Sequence, residues 1–319
     1  MKKNAIKVLA VVSALVLVLG ILAGCGASSK EFNFTTGGDT GTYYAFGGVM
    51  AQKISEVTDT KVTAITSGGS KANIEALQAG DAQFGFTQSD VLAYGYNGER
   101  LFDEAVKDIS TVAALYMEQV QIVTLDPDIQ SVADLAGKSV SIGAAGSGVY
   151  FNAVDILGAY GLDAEADIKP TYQSFADSVE SLQDGSIDAA FVVAGVPTNA
   201  VTSLAATNDV YLVSIDAEHI AALTASSPYY TEYVVPASTY DMPEDATTVA
   251  VGAVVICRDD VSEDDVYNFV SGVFNNLDNL AHDKANELSL EFATSVTDVP
   301  YHAGAAKYFA EQGITVPTK

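Results

Sequence analysis

The amino-acid sequence predicts an α/β protein in which strands alternate with helices in two domains. Its 319 residues suggest two domains, because a single domain usually has about 100–200 residues. Hydrophobic residues make up 49% of the chain and charged residues 18%, so the chain can bury a large core. Segments with strand-like and helix-like apolar spacing follow one another along most of the chain, which favours parallel sheets covered by helices.

The first domain begins with three strand-and-helix units. Short apolar or alternating segments predict strands at residues 31–36, 61–66 and 83–87. Apolar residues at helical spacing predict helices at residues 43–57, at residues 71–78 and from Ser89 onward. Because a helix follows each strand, these strands are expected to pair in parallel.

The same alternation restarts after Leu115 and predicts a second domain. Strands are predicted at residues 120–125, 138–142, 168–172, 189–193 and 210–215. Helices are predicted at residues 131–135, 149–160, 175–183 and 198–206. The apolar run 249–257 is expected to be a strand, and helical spacing over 266–281 predicts a helix near the C-terminus.

The N-terminus has the features of a signal peptide. Three lysines within the first seven residues precede the apolar run 8–22, which is shorter than the roughly 20 residues of a membrane-spanning helix. The run ends at residues 22–25 (LAGC), which resemble the bacterial lipobox, where the cysteine becomes the lipidated first residue of the mature chain. We therefore expect residues 1–24 to be removed, Cys25 to carry lipid and residues 25–30 to form a short tether.

The charge balance limits the partners of the protein. There are 15 Lys and Arg residues against 41 Asp and Glu residues, which gives a net charge of -26, and removal of the three N-terminal lysines takes it to -29. Nucleic acids are excluded as a partner class, because their affinity depends on basic side chains that neutralise phosphates. Electrostatic binding to anionic lipid is excluded as well, because it also depends on basic side chains.

Residue patterns of common catalytic and metal sites are missing. The three histidines, His219, His282 and His302, have no metal-ligating neighbour at a suitable spacing. Nucleophile-elbow, P-loop and dinucleotide-binding motifs are also absent from the sequence. Cys257 ends an apolar run and is interpreted as a buried strand residue. We expect a protein that is not an enzyme and has no cofactor and no metal.

Loops of small residues recur where a predicted strand passes into a helix. The N-terminus of a helix carries unpaired N–H groups and a positive partial charge, so such loops can bind carboxylates or phosphates. Each loop on its own is also explained by ordinary turns and caps, and Ser70 is a plausible helix N-cap. The candidate ligand-binding residues in and beside these loops are Gly41, Tyr43, Ser67, Gly69, Ser70, Gln88, Ser89, Asp90, Tyr116, Glu118, Gly146, Ser147, Gly148, Gly195 and Pro197.

Arginine is scarce in this chain, which limits the groups that could bind a ligand carboxylate. Only Arg100 and Arg258 occur, and neither lies in a candidate loop. A ligand carboxylate is therefore expected to bind backbone N–H groups and the hydroxyls of the serines at positions 67, 70 and 147. An acid among Asp39, Asp90 and Glu118 could bind an ammonium group, which favours a zwitterionic amino acid over a plain dicarboxylate.

Several short motifs, in this order along the chain, resemble those of one family. They are residues 41–44 (GTYY), 67–70 (SGGS), 88–90 (QSD), 115–118 (LYME), 134–138 (DLAGK), 146–148 (GSG), 184–189 (DGSIDA), 195–197 (GVP) and 300–305 (PYHAGA). Together they resemble the TAXI solute-binding proteins, the extracytoplasmic receptors of one branch of TRAP transporters. Ala303 stands where that family usually has proline.

The resemblance implies a type II periplasmic-binding-protein fold, with two lobes, two mixed or parallel sheets with flanking helices and an interlobe cleft. The lobes would comprise residues 31–117 plus 251–319 and residues 118–250, joined by crossover strands near 116–121 and 249–256. It further implies a monomer that is lipid-anchored on the outer face of the bacterial cytoplasmic membrane or in the periplasm. This protein would capture a small carboxylate-bearing solute, with a glutamate-like amino acid favoured, and deliver it to TRAP membrane subunits.

Two other functions remain open at this point. A membrane-tethered sensor ectodomain would bind the same ligand and pass the signal to a signalling partner. An enzyme on the same fold is the third reading.

Overall fold

Strands and helices alternate along residues 31–319, the part of the chain that the computed structural model describes. The predicted signal peptide, the tether and Cys25 lie outside the described residues. The strands are β1 Glu31–Thr35, β2 Lys61–Ile65, β3 Phe84–Gln88, β4 Ile109–Thr124, β5 Ser139–Ser141, β6 Lys169–Thr171, β7 Ala189–Ala194, β8 Tyr211–Leu212, β9 Thr231–Val235 and β10 Ala246–Arg258. No helix within residues 31–319 has the length and apolar character needed to cross a membrane.

The helices follow the strands closely, as the sequence predicts. They are α1 Thr42–Val57, α2 Ser70–Ala79, α3 Ser89–Asn97, α4 Val149–Ala159, α5 Phe175–Asp184, α6 Asn199–Ala205, α7 Ala217–Ser226, α8 Glu263–Phe274, α9 Leu290–Ala293 and α10 Ala303–Glu311. Short 3-10 helices occur at Val132–Leu135, Ala237–Thr239, Leu277–Asn279 and Asp283–Glu287.

The strands form one mixed sheet in the order β2-β1-β3-β10-β4-β7-β5-β6, with β8 beside β4 and β9 beside β10. Strands β1 to β3 pair in parallel, and so do β5 to β7. The two long strands β4 and β10 are antiparallel to each other and to their outer neighbours. Strand β10 pairs with β3 along residues 253–257 and with β9 along residues 246–250. Strand β4 pairs with β7 along residues 119–124, and β4 and β10 pair with each other between the two parallel groups.

The buried side chains separate into two halves along these long strands. The first half contains β1 to β3 with α1 to α3 and α8 to α10, and its largest core is rich in phenylalanine. The second half contains β5 to β9 with α4 to α7. The core changes between Tyr116 and Val120 on β4 and between Val251 and Ala253 on β10. The lobe boundaries given above remain a prediction.

Two elements are much shorter than predicted, for local reasons. The strand expected at 210–215 is only two residues long, because the Val213 N–H donates to Ile122 while the Ile215 N–H donates to Thr247 on a different strand. The helix expected at 266–281 ends at Phe274, where the Asn276 side chain donates to the Gly272 carbonyl and caps the last turn.

Two further predictions need correction. The helix expected at 131–135 is a 3-10 helix, capped by the Ser131 hydroxyl. Ser70 is not an N-cap: Gly69 occupies that position with φ of 104°, a conformation that favours glycine. Helix α7, strand β9 and helix α10 had not been predicted, and β9 is mostly exposed, so it lacks an apolar pattern.

Candidate functional site

A cavity of about 80 Å³ lies between the two halves, at the carboxyl ends of several parallel strands. Nine of the predicted site residues line it: Gly41, Tyr43, Ser67, Gly69, Ser70, Gln88, Glu118, Ser147 and Gly148. The remaining lining residues are Gly37, Gly38, Thr42, Gly68, Ala144, Val149, Gln173, Ser174, Phe175, Val193 and Ala194. Among residues 31–319, no lysine, arginine or histidine lines the cavity.

Four helices begin at this cavity without a side-chain cap. The N-cap residues are Gly41 for α1, Gly69 for α2, Gln88 for α3 and Gly148 for α4, and none of them accepts a hydrogen bond from its own helix through its side chain. A fifth helix, α5, is capped there by the Ser174 hydroxyl, which accepts from the Asp177 N–H at 3.1 Å. Each of these helix N-termini brings a partial positive charge and backbone N–H donors to the cavity, which suit an anion.

Of the acidic side chains in residues 31–319, Glu118 alone lines the cavity. Its side chain is 2% exposed, and its Oε2 accepts a hydrogen bond of 2.6 Å from the Tyr43 hydroxyl. Burial raises the pKa of Glu118 to about 8; nearby Asp90 also raises this pKa, while the hydrogen bond from Tyr43 and the charge of Lys284 lower it. At pH 7 the ligand-free carboxyl is therefore mostly protonated.

Two further polar atoms at the cavity have no partner. Gln88 Oε1 and Ser147 Oγ are buried and receive no hydrogen bond from the described residues. The other serines at the cavity are engaged locally: Ser70 Oγ accepts from the Gln88 N–H at 3.1 Å, and Ser67 Oγ accepts from the Gly69 N–H at 3.1 Å. An unpaired buried polar atom costs free energy. Hydrogen bonds from a polar ligand to Gln88 Oε1 and Ser147 Oγ would remove this cost.

The two halves also contact each other directly around the cavity. The Ala72 N–H donates to the Gly146 carbonyl at 3.0 Å, and the Ala200 N–H donates to the Thr40 carbonyl at 3.2 Å. The Thr42 hydroxyl donates to the Gly195 carbonyl at 2.9 Å. Gly146 and Gly195, which the sequence suggested as ligand contacts, thus offer their carbonyls to the opposite half and do not line the cavity.

The other predicted residues outside the cavity lining have different surroundings. Ser89 accepts from the Gly252 N–H at 3.1 Å and lines a second cavity of about 290 Å³. Asp90 is fully buried and accepts from Asn152, while the buried Tyr116 hydroxyl has no partner among the described residues. Pro197 is exposed and follows a cis peptide bond. Their roles as ligand contacts remain predictions, and Asp39 is exposed.

Residues 173–175 line the cavity, and the sequence patterns above do not predict them as ligand contacts. They follow β6, and Phe175 is the first residue of α5, so they occupy the same strand-to-helix position as the predicted loops. The segment contains no glycine, so the small-residue criterion missed it, although the serine before a predicted helix was a usable signal.

Metal chemistry and disulfide chemistry have no visible support in residues 31–319. No group of three His, Cys, Asp or Glu side chains in this range is arranged to hold a metal ion. Cys257 is fully buried in β10 as a free thiol, and burial raises its pKa well above the usual value. This agrees with its interpretation as a core residue.

Residues 34–313 match the model of the NMT1-like family. The chain belongs to this family. Three solved structures resemble it at low sequence identity. MatC from Rhodopseudomonas palustris, with bound malate, has 12% identity and a TM-score of 0.56 over 80% of this chain and 86% of that one. A structure described as a periplasmic transporter has 14% identity and a TM-score of 0.53 over 90% and 93%.

A protein from Bordetella bronchiseptica RB50 is similar to the same degree. It has 14% identity and a TM-score of 0.53, over 88% of each chain. At such identities the similarity concerns the fold alone. The predicted fold class, a mixed α/β fold of the periplasmic-binding-protein type, is confirmed, although the strands form one continuous sheet where two sheets were expected, because β4 and β10 join the two parallel groups.

Proposed function

We propose that this NMT1-like protein is an extracytoplasmic solute-binding protein that encloses a small carboxylate-bearing solute between two lobes. One observation carries the proposal: four uncapped helix N-termini meet at a cavity between the halves, where no basic side chain of the described part of the chain forms the lining. Family membership and a fold shared with periplasmic proteins support a binding protein rather than an enzyme.

The favoured ligand is a glutamate-like amino acid. The helix N-termini would bind its carboxylate groups through N–H donors and the dipole. The Glu118 carboxyl, whose Oε1 receives no hydrogen bond from the described residues, would bind the ammonium group. A plain dicarboxylate is the second ligand class, because a protonated Glu118 could donate a hydrogen bond to it, and MatC was solved with malate.

Binding would close the lobes, 31–117 plus 251–319 and 118–250, about the two long strands. Support comes from the hydrogen bonds between the halves, which join Ala72 to Gly146 and Thr42 to Gly195. These contacts involve the same loops that line the cavity, so a ligand in the cavity and the closed arrangement stabilise each other. Delivery to TRAP membrane subunits is proposed from the family motifs described above, including 41–44, 67–70 and 300–305.

A thermal-unfolding screen of amino acids and organic acids tests the ligand class. A ligand at 100 times its Kd adds about 2.7 kcal/mol to the free energy of unfolding, which raises Tm by several degrees. We expect L-glutamate or a close analogue to raise Tm, and cationic amino acids such as L-lysine to leave it unchanged. The proposal fails if no amino acid or carboxylic acid in the screen stabilises the protein.

We also propose that lipid on Cys25 anchors the protein to the membrane. Support comes from the lipobox-like residues 22–25 after the basic and apolar segments. Cys25→Ala should move the protein from the membrane fraction to the soluble fraction or arrest its processing, as judged by fractionation and by mass. A variant that is processed normally and stays with the membrane would contradict lipid anchoring at Cys25.

A further inference from the structure

We infer that helix α4 of the second half forms a closure contact with α3 and the loop that follows it, and that this contact, outside the ligand cavity, sets the affinity for solute. The inference rests on the proposed function, since it concerns the same lobe closure. The contact consists of three side chains of α4, Phe151, Asn152 and Asp155, against Asp90, Tyr94 and Arg100 of the first half.

Phe151 supplies the apolar part of the closure contact. It belongs to the second half by sequence, but its ring is 1% exposed within a cluster of first-half residues that includes Ile74, Val91 and Leu92. The Phe151 ring centroid lies 5.6 Å from that of Tyr94. Separation of the halves would expose this ring to water. Its burial therefore stabilises the closed arrangement and not the open one.

Asn152 supplies a buried polar link next to Phe151. Its Nδ2 donates to Asp90 Oδ2 and to the Tyr230 hydroxyl, in both cases at 3.0 Å. Asp90 is fully buried, and its Oδ1 has no partner among the described residues. Burial raises the pKa of Asp90 to about 7, and the charge of Asp155 acts in the same direction. The hydrogen bond from the Asn152 amide to Asp90 therefore forms only when the two halves are closed.

Asp155 supplies an ion pair with Arg100 across the two halves. The guanidinium donates to both carboxylate oxygens, at 2.7 and 3.0 Å, and Tyr230 donates to Oδ2 at 2.9 Å. Arg100 also lies over the rings of Tyr94 and Phe151, 5.0 and 5.2 Å from their centroids. Paired, planar contacts of this kind fix geometry as well as adding attraction.

None of these six residues lines the ligand cavity. The closure contact lowers the free energy of the closed form. A solute that binds only the closed form therefore binds more tightly when this contact is intact. Weakening the contact lowers the closed population and therefore lowers the apparent affinity, without any change to the groups that touch the solute.

The chain offers a matched control for the ion pair. Its other arginine, Arg258, forms a similar two-bond pair with Asp260, at 2.8 and 2.7 Å, inside the first half. Asp155→Asn and Asp260→Asn therefore remove the same charge from the same type of pair, but only the first pair spans the halves. Arg100→Gln and the double variant Arg100→Gln with Asp155→Asn complete the set.

Two measurements on the full-length protein test the inference. In calorimetric titrations with L-glutamate, Asp155→Asn and Arg100→Gln should each weaken affinity by roughly two- to fivefold. The double variant should weaken it no more than the more damaging single variant does, and Asp260→Asn should leave it unchanged. In the ligand-free protein, Asp155→Asn should speed hydrogen exchange in α4 relative to Asp260→Asn.

The two measurements separate the possible failures. If L-glutamate does not bind the wild-type protein, the proposed ligand is wrong, and the exchange measurement still decides about the closure contact. Exchange in α4 that is identical in the Asp155→Asn and Asp260→Asn proteins would overturn the inference. So would L-glutamate affinities that are the same in Asp155→Asn and wild type.

Discussion

Gly148→Ala is expected to weaken solute binding about 10- to 100-fold without unfolding the protein. A Cβ at this position would lie 1.8 Å from Gln88 Oε1, 2.5 Å from its Cδ and 2.9 Å from Ser70 Oγ. Either the Gln88 amide must turn into the cavity or the halves must separate, and both outcomes oppose a bound solute. Overpacking of this kind typically costs about 1–3 kcal/mol, which corresponds to the expected loss.

The backbone at Gly148 accepts alanine, so the effect can be assigned to the contact. Its φ of -70° and ψ of -22° are helical, and alanine is a better helix former than glycine. Gly158→Ala on the same helix is the control, because a Cβ there meets nothing within 4 Å. Titration of both variants with L-glutamate should separate them clearly. Equal affinities would mean that the α3 and α4 N-termini do not approach each other around the solute.

Glu118→Gln is expected to weaken binding of L-glutamate by roughly 30-fold or more. Loss of one partner from a buried, hydrogen-bonded charge pair typically costs about 2–5 kcal/mol. Glutarate, which lacks the ammonium group, should lose much less affinity. The exposed Glu311 on α10 lies outside the cavity lining, so Glu311→Gln is the control and should bind L-glutamate as the wild type does. If Glu118→Gln binds L-glutamate with wild-type affinity, Glu118 does not bind the ligand.

The same substitution should stabilise the ligand-free protein at higher pH. The pKa of Glu118 is about 8 in the folded protein against an ordinary value of 4.5, so the folded state binds more protons than the unfolded state between these values. The free energy of unfolding therefore falls as pH rises through this range, and Glu118→Gln removes that part of the slope. Urea unfolding at pH 6 and pH 8.5 measures the difference, expected to be on the order of a few kcal/mol. Tyr43, Tyr116, Lys284 and Asp90 surround the group and are unchanged.

Much of the fold follows from local sequence patterns, but the central strands do not. Alternation of strands and helices predicted most elements near their observed bounds, because apolar periodicity reflects which face of an element is buried. β4 and β10 have 16 and 13 residues and are buried on both faces over nearly their whole length, so no alternation of apolar and polar residues indicated their length or antiparallel direction.

The candidate site was predictable only in part, because a loop sequence does not tell which backbone group faces inward. Gly69 and Gly148 bring helix N-termini to the cavity, whereas Gly146 and Gly195 present carbonyls to the opposite half. The pair between Arg100 and Asp155 joins positions 55 residues apart on different halves, and no local pattern announces such a contact.

The central claim is that helix N-termini bind a carboxylate while Glu118 binds an ammonium group. Proton release on binding tests it most directly, measured by calorimetry at pH 7 in two buffers with different heats of ionisation. L-Glutamate should release up to one proton, since a buried ammonium lowers the pKa of Glu118 from about 8. Glutarate should bind more weakly and release none. Tight binding of L-glutamate without proton release, or tighter binding of glutarate, would contradict the account.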